Sequence, residues 1–458
     1  MPNSRRRRSD PVLAALEGLP PGATADVRVS HGTWTTIRFA NGRIHQPHFE
    51  RSAHASLRVA EDRKLGTATT GDLSPAGLAA VRDAARALAR VAPLERKFSG
   101  FPGDGRGSGA GVPFSEATAD LSPERATKLA ETILFAARDG APGGRIAGVV
   151  IVGSEHLRVA NSSGLDRSDA LSLAQASILI DRPEREPPVS GWSEGGHWDY
   201  RRLDPERLAR EAAERVARSD PGAVEPGNYR VVLRGPAMSE ALSFLATLGF
   251  AGFGEVEGWS CLRRLRGRRI APDFVHLVDD PRSPRTIPFA IDNEGAWTHR
   301  YPLVDHGVAG EAVTDLVTAG RLGRRPTGHA LPPEAPFGAY GPEPTRLILA
   351  EGDASEEELI RTTERGLLVT RFHYIRTVDP GRGIITGMTR DGTYRIEHGE
   401  IAGPVRNLRF TESVLTLLKG IRLLGRESRT YLSERATIAV TTPPAAVHSF
   451  RFTSTTLF

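Results

Sequence analysis

Cysteine is almost absent from this chain, which limits its redox and metal chemistry. Cys261 is the single cysteine among 458 residues. One cysteine cannot close an internal disulfide, and it cannot build a zinc site that uses several thiolates. The sequence therefore favours a reducing compartment, and we expect a cytoplasmic protein.

Long apolar runs are also lacking. No stretch of about 18 apolar residues occurs, so no membrane-spanning helix is expected. The segment MPNSRRRRSD has no apolar region after its arginines, which argues against a secretory signal. We predict that residues 1–23 form a disordered basic tail.

The charge balance makes nucleic acid an unlikely partner. There are 60 Lys and Arg residues against 55 Asp and Glu, a net charge of +5, and residues 5–8 supply four positive charges. A nucleic-acid-binding fold more often carries a basic face across its surface. A basic loop at residues 263–269 keeps a non-enzymatic binding or assembly module open, but few aromatic residues are interleaved for base stacking.

The first half of the chain combines alternating and helical patterns. Asn41-Gly42 lies between two alternating runs, which is typical of a type I′ hairpin. Three later segments begin with a capping residue followed by proline and continue at helical spacing. The capping residues are Ser74, Ser122 and Asp204. We predict an α/β-sandwich-like domain over residues 24–225, ending at a Pro- and Gly-rich stretch.

The second half, residues 226–458, predicts a strand-rich domain, so the fold class is α+β with two domains. Short strands separated by turns dominate it, and Ser355 with Glu358 forms a capping box for one helix. TESVLTLLKGIRLLG, at residues 411–425, predicts an amphipathic helix. SEALSFLATLGFAGFGE, at residues 239–255, predicts a helix that is apolar along most of its length and follows the strand YRVVL.

Two groups of polar residues are candidates for chemistry. In HQPHFE, His45 and His48 stand three apart in a strand region, so they point to opposite faces and favour a solvated surface. A denser group spans residues 292–307 and continues into the turn PTGHA. Paired carboxylates support acid–base chemistry only where their pKa values are perturbed, so ion pairing stays open as the alternative. The dense group contains Asp292, Glu294, His299, Arg300, Asp305 and His306.

Residues 287–330, the signature segment, carry a resemblance to a known family. IPFAIDNEGAWTHRYPLVDHGVAGEAVTDLVTAGRLGRRPTGHA resembles the signature region of the TldD/PmbA family, with its D-x-E-G-x-x-T-x-R run and its L-G-x-x-x-T-G ending. The later run from VDPGRGIITG to GIRLLG is similar to the family's C-terminal region, and looser similarity reaches back to residue 24. The resemblance implies the two-domain fold of that family.

The family contains two types of subunit. The TldD-like type is a zinc metallopeptidase with His-Glu-x-x-x-His on the helix after the strand matching YRVVL, and with a late cysteine ligand. The PmbA- or TldE-like type pairs with it and carries no zinc. Zinc needs about three N, S or O ligands plus an open position for water. The helix at residues 239–255 has no histidine, and no His-Glu pair occurs anywhere in the chain.

The place of the late cysteine holds Arg371 and His373 instead. The helix is therefore predicted to pack in a core, with Ala241, Leu245 and Leu248 on one face. The resemblance implies a bacterial, non-catalytic PmbA/TldE-like subunit without a cofactor of its own. Its partner would be a TldD-like, zinc-bearing subunit, in a heterodimer or an assembly of such pairs. The complex would trim or degrade unstructured peptides, such as leader peptides.

No catalytic residue is predicted in this chain, and eight residues are candidates for a substrate cavity or a subunit interface. They are Asp292, Glu294, Arg300, Thr327, Gly328, His329, Arg371 and His373. A self-sufficient metallohydrolase with a relocated site stays open as an alternative. Its candidate ligands are His299, His306, His329, His373, Asp292 and Glu294.

Overall fold

The computed structural model describes residues 10–103, 111–184, 189–216, 220–333, 341–433 and 438–456. The helices are α1 (Pro11–Ala14), α2 (Pro75–Val91), α3 (Glu116–Ala119), α4 (Pro123–Gly140), α5 (Pro205–Arg215), α6 (Gly235–Leu245), α7 (Gly252–Val256), α8 (Leu316–Leu322), α9 (Glu356–Thr363) and α10 (Val414–Gly420). A π turn, Ala246–Phe250, follows α6. Within the described residues, no helix combines the length and the apolar character needed to cross a membrane.

Nineteen strands are described, in three sheets. The strands of the first half are β1 (Thr24–Ala40), β2 (Arg43–Glu61), β3 (Lys64–Thr70), β4 (Arg145–Asn161), β5 (Asp166–Arg182) and β6 (Val189–His197). The strands that follow are β7 (Gly227–Leu233), β8 (Leu277–Asp279), β9 (Tyr301–Asp305), β10 (Val308–Ala309), β11 (Arg346–Leu349), β12 (Gly366–Asp379), β13 (Ile384–Glu397), β14 (Glu400–Pro404), β15 (Leu408–Ser413), β16 (Ile421–Leu424), β17 (Arg429–Leu432), β18 (Ala439–Thr442) and β19 (Ala445–Thr455).

The first sheet is antiparallel, with the order β3-β2-β1-β4-β5-β6. Its β1–β2 connection is the predicted two-residue turn, because Asn41 and Gly42 both have positive φ, 49° and 71°. Helices α2, α4 and α5 pack against this sheet and begin at the predicted caps, whose side chains accept backbone N–H groups. The first half combines helices with a sheet, and the second half consists mainly of strands. This arrangement confirms the α+β class.

The second half contains a sheet of order β10-β9-β8-β11-β18-β17 and a strongly curved third sheet. In the third sheet, the pairings run β12-β7-β19-β15-β13 and return to β12, which closes a five-stranded barrel. Four phenylalanines of these strands form a buried aromatic cluster with neighbouring ring centroids 4.6–5.4 Å apart. They are Phe372, Phe410, Phe450 and Phe452.

Two predictions about local structure need correction. The predicted helix at residues 411–425 is a helix only in α10; Ile421–Leu424 is strand β16, which pairs with β19 and so satisfies its backbone at a sheet edge. The predicted disorder of residues 1–23 does not hold for residues 10–19. Asp10 caps α1, and Leu13 packs against the core under α2. Residues 5–8 lie outside the described residues.

Candidate functional site

Helix α6 lies in the apolar stretch for which the resemblance implies the zinc motif of a TldD-like subunit. It follows β7 directly, and every residue from Gly235 to Leu245 except Phe244 is buried. Leu245 is fully buried, in one core with the barrel strands. Ala241, Leu242, Leu248 and Phe250 are also buried, so the prediction of core packing is confirmed.

The two serine hydroxyls of α6 bond within the helix. The Ser239 hydroxyl donates to the Pro236 carbonyl at 2.9 Å, and the Ser243 hydroxyl donates to the Ser239 carbonyl at 2.8 Å. Glu240 is the one acidic residue of α6 and is itself buried. A helix with one carboxylate and no imidazole does not fit a zinc site of the His-Glu-x-x-x-His kind.

Cys261 lies against the end of this helix, although in sequence it is distant from β12, the strand for which the resemblance implies a late cysteine. Its backbone N–H donates to the Leu248 carbonyl at 2.9 Å, within the π turn after α6. Burial raises the pKa of the Cys261 thiol to about 12. The thiolate is the form that binds metal, so this cysteine is poorly suited as a ligand.

Arg371 and His373 lie on β12. The Arg371 Nε donates to an Asp391 carboxylate oxygen at 2.6 Å, and its guanidinium carbon lies 4.1 Å from the centroid of Trp192 on β6. Arg371 thus joins the barrel to the first sheet. His373 is half-buried beside the exposed Tyr374, where β12 is bulged.

Asp292 organises the first part of the signature segment. One carboxylate oxygen accepts the N–H groups of Glu294 and Ala296 at 2.9 and 2.8 Å, and the other accepts the Ala330 N–H at 3.0 Å. The side chain thereby ties the loop at 292–296 to the turn that ends at residue 330. Burial raises the pKa of Asp292 to about 6, and these donors oppose the increase.

Glu294 joins the signature segment to the first sheet. Its carboxylate accepts from Arg58 Nη1 of β2 at 2.7 Å and from the Leu316 N–H of α8 at 2.8 Å. Arg58 also pairs with Asp26 on β1. Burial raises the pKa of Glu294 to about 8; Arg58 lowers it, and Asp315 and Asp292 raise it further. Arg58, a cation from the other half of the chain, therefore holds the Glu294 carboxyl through a hydrogen bond that forms whether the carboxyl is protonated or ionised.

The turn at residues 327–330, which is buried from Gly328 onward, is held by both backbone and side chains. The His329 ring has Nδ1 2.7 Å from the Thr327 carbonyl oxygen and Nε2 3.1 Å from the Asp279 carboxylate of β8. Gly328 has φ 73°, and a Cβ there would lie 2.8 Å from the Trp297 carbonyl oxygen, so a larger residue would strain the turn. Five of the eight candidate residues therefore come together, namely Asp292, Glu294, Thr327, Gly328 and His329.

Arg300 does not join that group. It is exposed, and its charge acts on the half-buried Asp280, where burial raises the pKa of the carboxyl and Arg300 opposes the increase. Arg371 and His373 lie on β12, in a different sheet from the strands beside the signature segment. Thus the eight candidates form one buried cluster, one exposed arginine and one pair on the barrel.

A cavity of about 280 Å³ lies between the first sheet and the signature segment. Arg28 of β1 lines it and donates to the Asn293 side-chain oxygen at 2.5 Å. Arg346 of β11 also lines it; its side chain is half-buried, with the guanidinium 4.8 Å from the Phe289 ring centroid. Sequence reasoning missed both residues. The available signal was a charged residue inside each of the apolar runs DVRVS and TRLIL.

The run Gly191–Gly195 reads Gly-Trp-Ser-Glu-Gly, which has the spacing of the esterase nucleophile elbow. Its structure does not suit that role. Ser193 lies within strand β6 instead of at a strand-to-helix turn, is 1% exposed, and donates to Glu211 at 2.9 Å. We therefore assign Ser193 to packing and hydrogen bonding within the fold.

The arginine-rich loop at residues 263–269 is partly neutralised within the chain. Arg266 pairs with Glu255 and lies 3.7 Å from Glu311, and Arg269 lies 3.4 Å from Asp273. These contacts reduce the positive field available to a nucleic acid. Nucleic-acid binding thus gains no support from this loop.

Comparisons with known proteins support the family resemblance of the signature segment. Family models described as PmbA/TldA metallopeptidase domain 1, central domain and C-terminal domain match residues 25–92, 116–219 and 226–454. A metalloprotease of Methanothermobacter thermautotrophicus is 26% identical over 429 residues, 88% of each chain. Metalloprotease PmbA of Escherichia coli O157:H7 is 23% identical over 455 residues, 93% of each chain.

A solved structure supports the same fold. TldE from Thermococcus kodakarensis superposes with a TM-score of 0.81 at 20% identity, over 94% of this chain and 96% of that chain. At this identity the likeness supports the fold alone. The family models, which together match most of the sequence, establish that this chain belongs to the TldD/PmbA family of metallopeptidases.

Proposed function

We propose that this chain is the PmbA/TldE-like, non-catalytic subunit of a complex with a TldD-like zinc metallopeptidase. The observation that carries the proposal is helix α6, in which apolar packing stands where the zinc-type subunit has its ligands. Building a His-Glu-x-x-x-His site there would require imidazoles in place of side chains that fill the barrel core. The relationship to proteins named PmbA and TldE supports the same assignment.

The substrate proposed for the complex is an unstructured peptide. An extended peptide can bind by adding a strand to a sheet edge, through backbone hydrogen bonds that read little of the sequence. In the described part of the chain, β3 pairs only with Ala55–Glu61 of β2. Residues 43–54 of β2 leave an edge on that side and are mostly exposed, which supports strand addition.

The test is peptide cleavage by the lone chain, by a TldD-like partner alone and by the two together. We expect efficient cleavage of an unstructured peptide only with both subunits, and loss of cleavage when the partner's His-Glu-x-x-x-His motif is altered. The lone chain should stay inactive with added Zn²⁺. Cleavage by the lone chain would overturn the proposal and favour the relocated-site hydrolase.

A variant of His373 tests whether β12 contributes to the working complex. His373→Ala should alter peptide turnover in the reconstituted pair, because the resemblance implies a cysteine ligand of the zinc-bearing type at the place of this half-buried imidazole. His45→Ala, an exposed histidine on β2, serves as the matched control. Unchanged kinetics for both variants would remove His373 from the functional residues.

A further inference from the structure

Three side chains with metal-binding atoms meet at the open end of strands β8 and β9. The antiparallel register pairs Leu277 with Val304, which brings His276 across from Asp305. The His276 Nδ1 lies 3.0 Å from the Asp305 carboxylate, and the His276 and His306 ring centroids are 4.4 Å apart. One donor atom from each residue lies within 4.8 Å of the other two. We call these three residues the hairpin cluster.

The backbone under the hairpin cluster is held in place. His306 and Gly307 form the β9–β10 turn with φ 45° and 71°. The Gly307 N–H donates to the Val275 carbonyl at 3.0 Å, and its carbonyl accepts the Ile270 N–H at 2.8 Å. A Cβ on Gly307 would lie 2.2 Å from the Ala271 carbonyl oxygen, so only glycine fits. The turn therefore presents His306 from a scaffold that is ordered before any ligand binds.

The geometry points to a divalent transition-metal site formed by His276, Asp305 and His306, with Zn²⁺ as the best-matched ion. Two imidazoles and one carboxylate are ligands that Zn²⁺ accepts, and three protein ligands leave a position for water or another group. Ligand atoms of a tetrahedral zinc site are roughly 3.3 Å apart. The exposed side chains of Asp305 and His306 can close the remaining distance by rotation.

Charges beside the cluster define its surroundings. The Asp273 carboxylate lies 4.0 Å from His306 Nδ1, which places a second acidic group within reach of a bound cation. Arg269 opposes cation binding, but it pairs with Asp273 at 3.4 Å and donates to the His306 carbonyl at 3.0 Å. The hairpin cluster shares no residue with helix α6. The proposed metal site is therefore independent of the proposed subunit function. The surface position favours a binding site over a peptidase centre.

The test uses the full-length, tag-free chain after chelator treatment and dialysis. We titrate it with Co²⁺, followed by visible absorption, and with Zn²⁺ by equilibrium dialysis. One equivalent per chain is expected, with the d–d bands of a low-coordinate cobalt site. Three variants remove one ligand each, and each is expected to weaken binding at least about tenfold. They are His276→Gln, Asp305→Asn and His306→Asn.

The variants are chosen so that the result is decisive. Asparagine tolerates positive φ, so His306→Asn should keep the turn, and Asp305 is exposed. If His276→Gln does not fold, the Asp305 and His306 variants still test the proposed metal site. His48→Asn is the control, because His48 is an exposed histidine 3.7 Å from a carboxylate, Glu50. Absence of one-equivalent binding, or binding that survives in the cluster variants, would overturn the proposal.

Discussion

Helix α6 and the signature segment belong to the same half of the chain, and they differ in what surrounds their buried side chains. The helix is enclosed by apolar residues of the barrel core, and its hydroxyls bond within the helix. The signature segment buries Asp292, Glu294 and His329, and each of them has partners outside its own turn. Apolar burial needs no specific partner, whereas a buried charge needs one at short range.

The difference shows which interactions stabilise each region. Buried apolar residues make α6 a core helix. The signature segment keeps its polar residues because they join elements distant in sequence: Arg58 lies 236 residues from Glu294. The contrast teaches that a buried polar residue such as Glu294 links the two halves of this chain, whereas the apolar residues of α6 fill a single core.

The largest expected effect follows removal of the shared cation. Arg58→Ala leaves Asp26 and Glu294 without the guanidinium between them and removes the contact with the Phe101 ring, 5.0 Å away. We expect a loss of about 4 kcal/mol in the free energy of unfolding, measured by urea denaturation. Arg51→Ala, on an exposed part of the same strand, should cost at most about 0.5 kcal/mol. Equal effects for the two variants would contradict a stabilising role for Arg58 between Asp26 and Glu294.

The apolar side of the comparison is tested at Leu245. Leu245→Ala removes a fully buried side chain from the core that α6 shares with the barrel. A cavity of this kind costs about 3 kcal/mol, read from the same urea transitions. Leu88→Ala is the control, because Leu88 on α2 is 48% exposed. A near-neutral result at Leu245 would mean that α6 is loosely packed and open to other roles.

The pH dependence of stability separates the two regions further. The pKa of Asp292 is raised from 3.8 to about 6 and that of Glu294 from 4.5 to about 8, so the folded state keeps protons that the unfolded state has lost. Stability should therefore fall as pH rises from about 4 to about 8, because protons held by the folded state are lost over this range. Glu294→Gln should flatten the slope above about pH 6. An unchanged slope in this variant would exclude Glu294 as its source.

The smallest effect is expected at Cys261, whose reactivity reports whether solvent reaches the end of α6. With a pKa of about 12, roughly one thiol in ten thousand is a thiolate at pH 8. Maleimide labelling of the native chain should be negligible, and labelling in 6 M guanidinium should be complete within minutes. Rapid labelling of the native chain would show that water reaches this part of the core.

Local signals predicted much of the secondary structure. The Asn41-Gly42 turn, the cap at Ser74 and the capping box of Ser355 with Glu358 are all present, because each depends on residues close in sequence. The helix predicted at residues 411–425 was wrong in its second half. Its apolar spacing is compatible with both a helix and a buried strand, and pairing with β19 stabilises the strand.

The candidate site was predicted in part. The cluster around Asp292 and His329 contains five residues selected from the sequence, although their contacts were not predictable. Arg58 and Arg28 were missed. The charge of Arg28 within an apolar run was a signal of burial, but nothing near either residue in sequence indicates that it meets the signature segment. Long-range pairs of this kind arise from chain topology, on which periodicity and spacing carry no information.

The sequence by itself determined the α+β class, the family resemblance and the apolar character of α6, because composition, motif order and hydrophobic spacing are local properties. Only the tertiary structure decided which cation meets Glu294, that Cys261 lies against α6, and that His276 joins Asp305 and His306. These contacts depend on strand register and sheet closure, in which residues far apart in the chain are brought within a few ångströms.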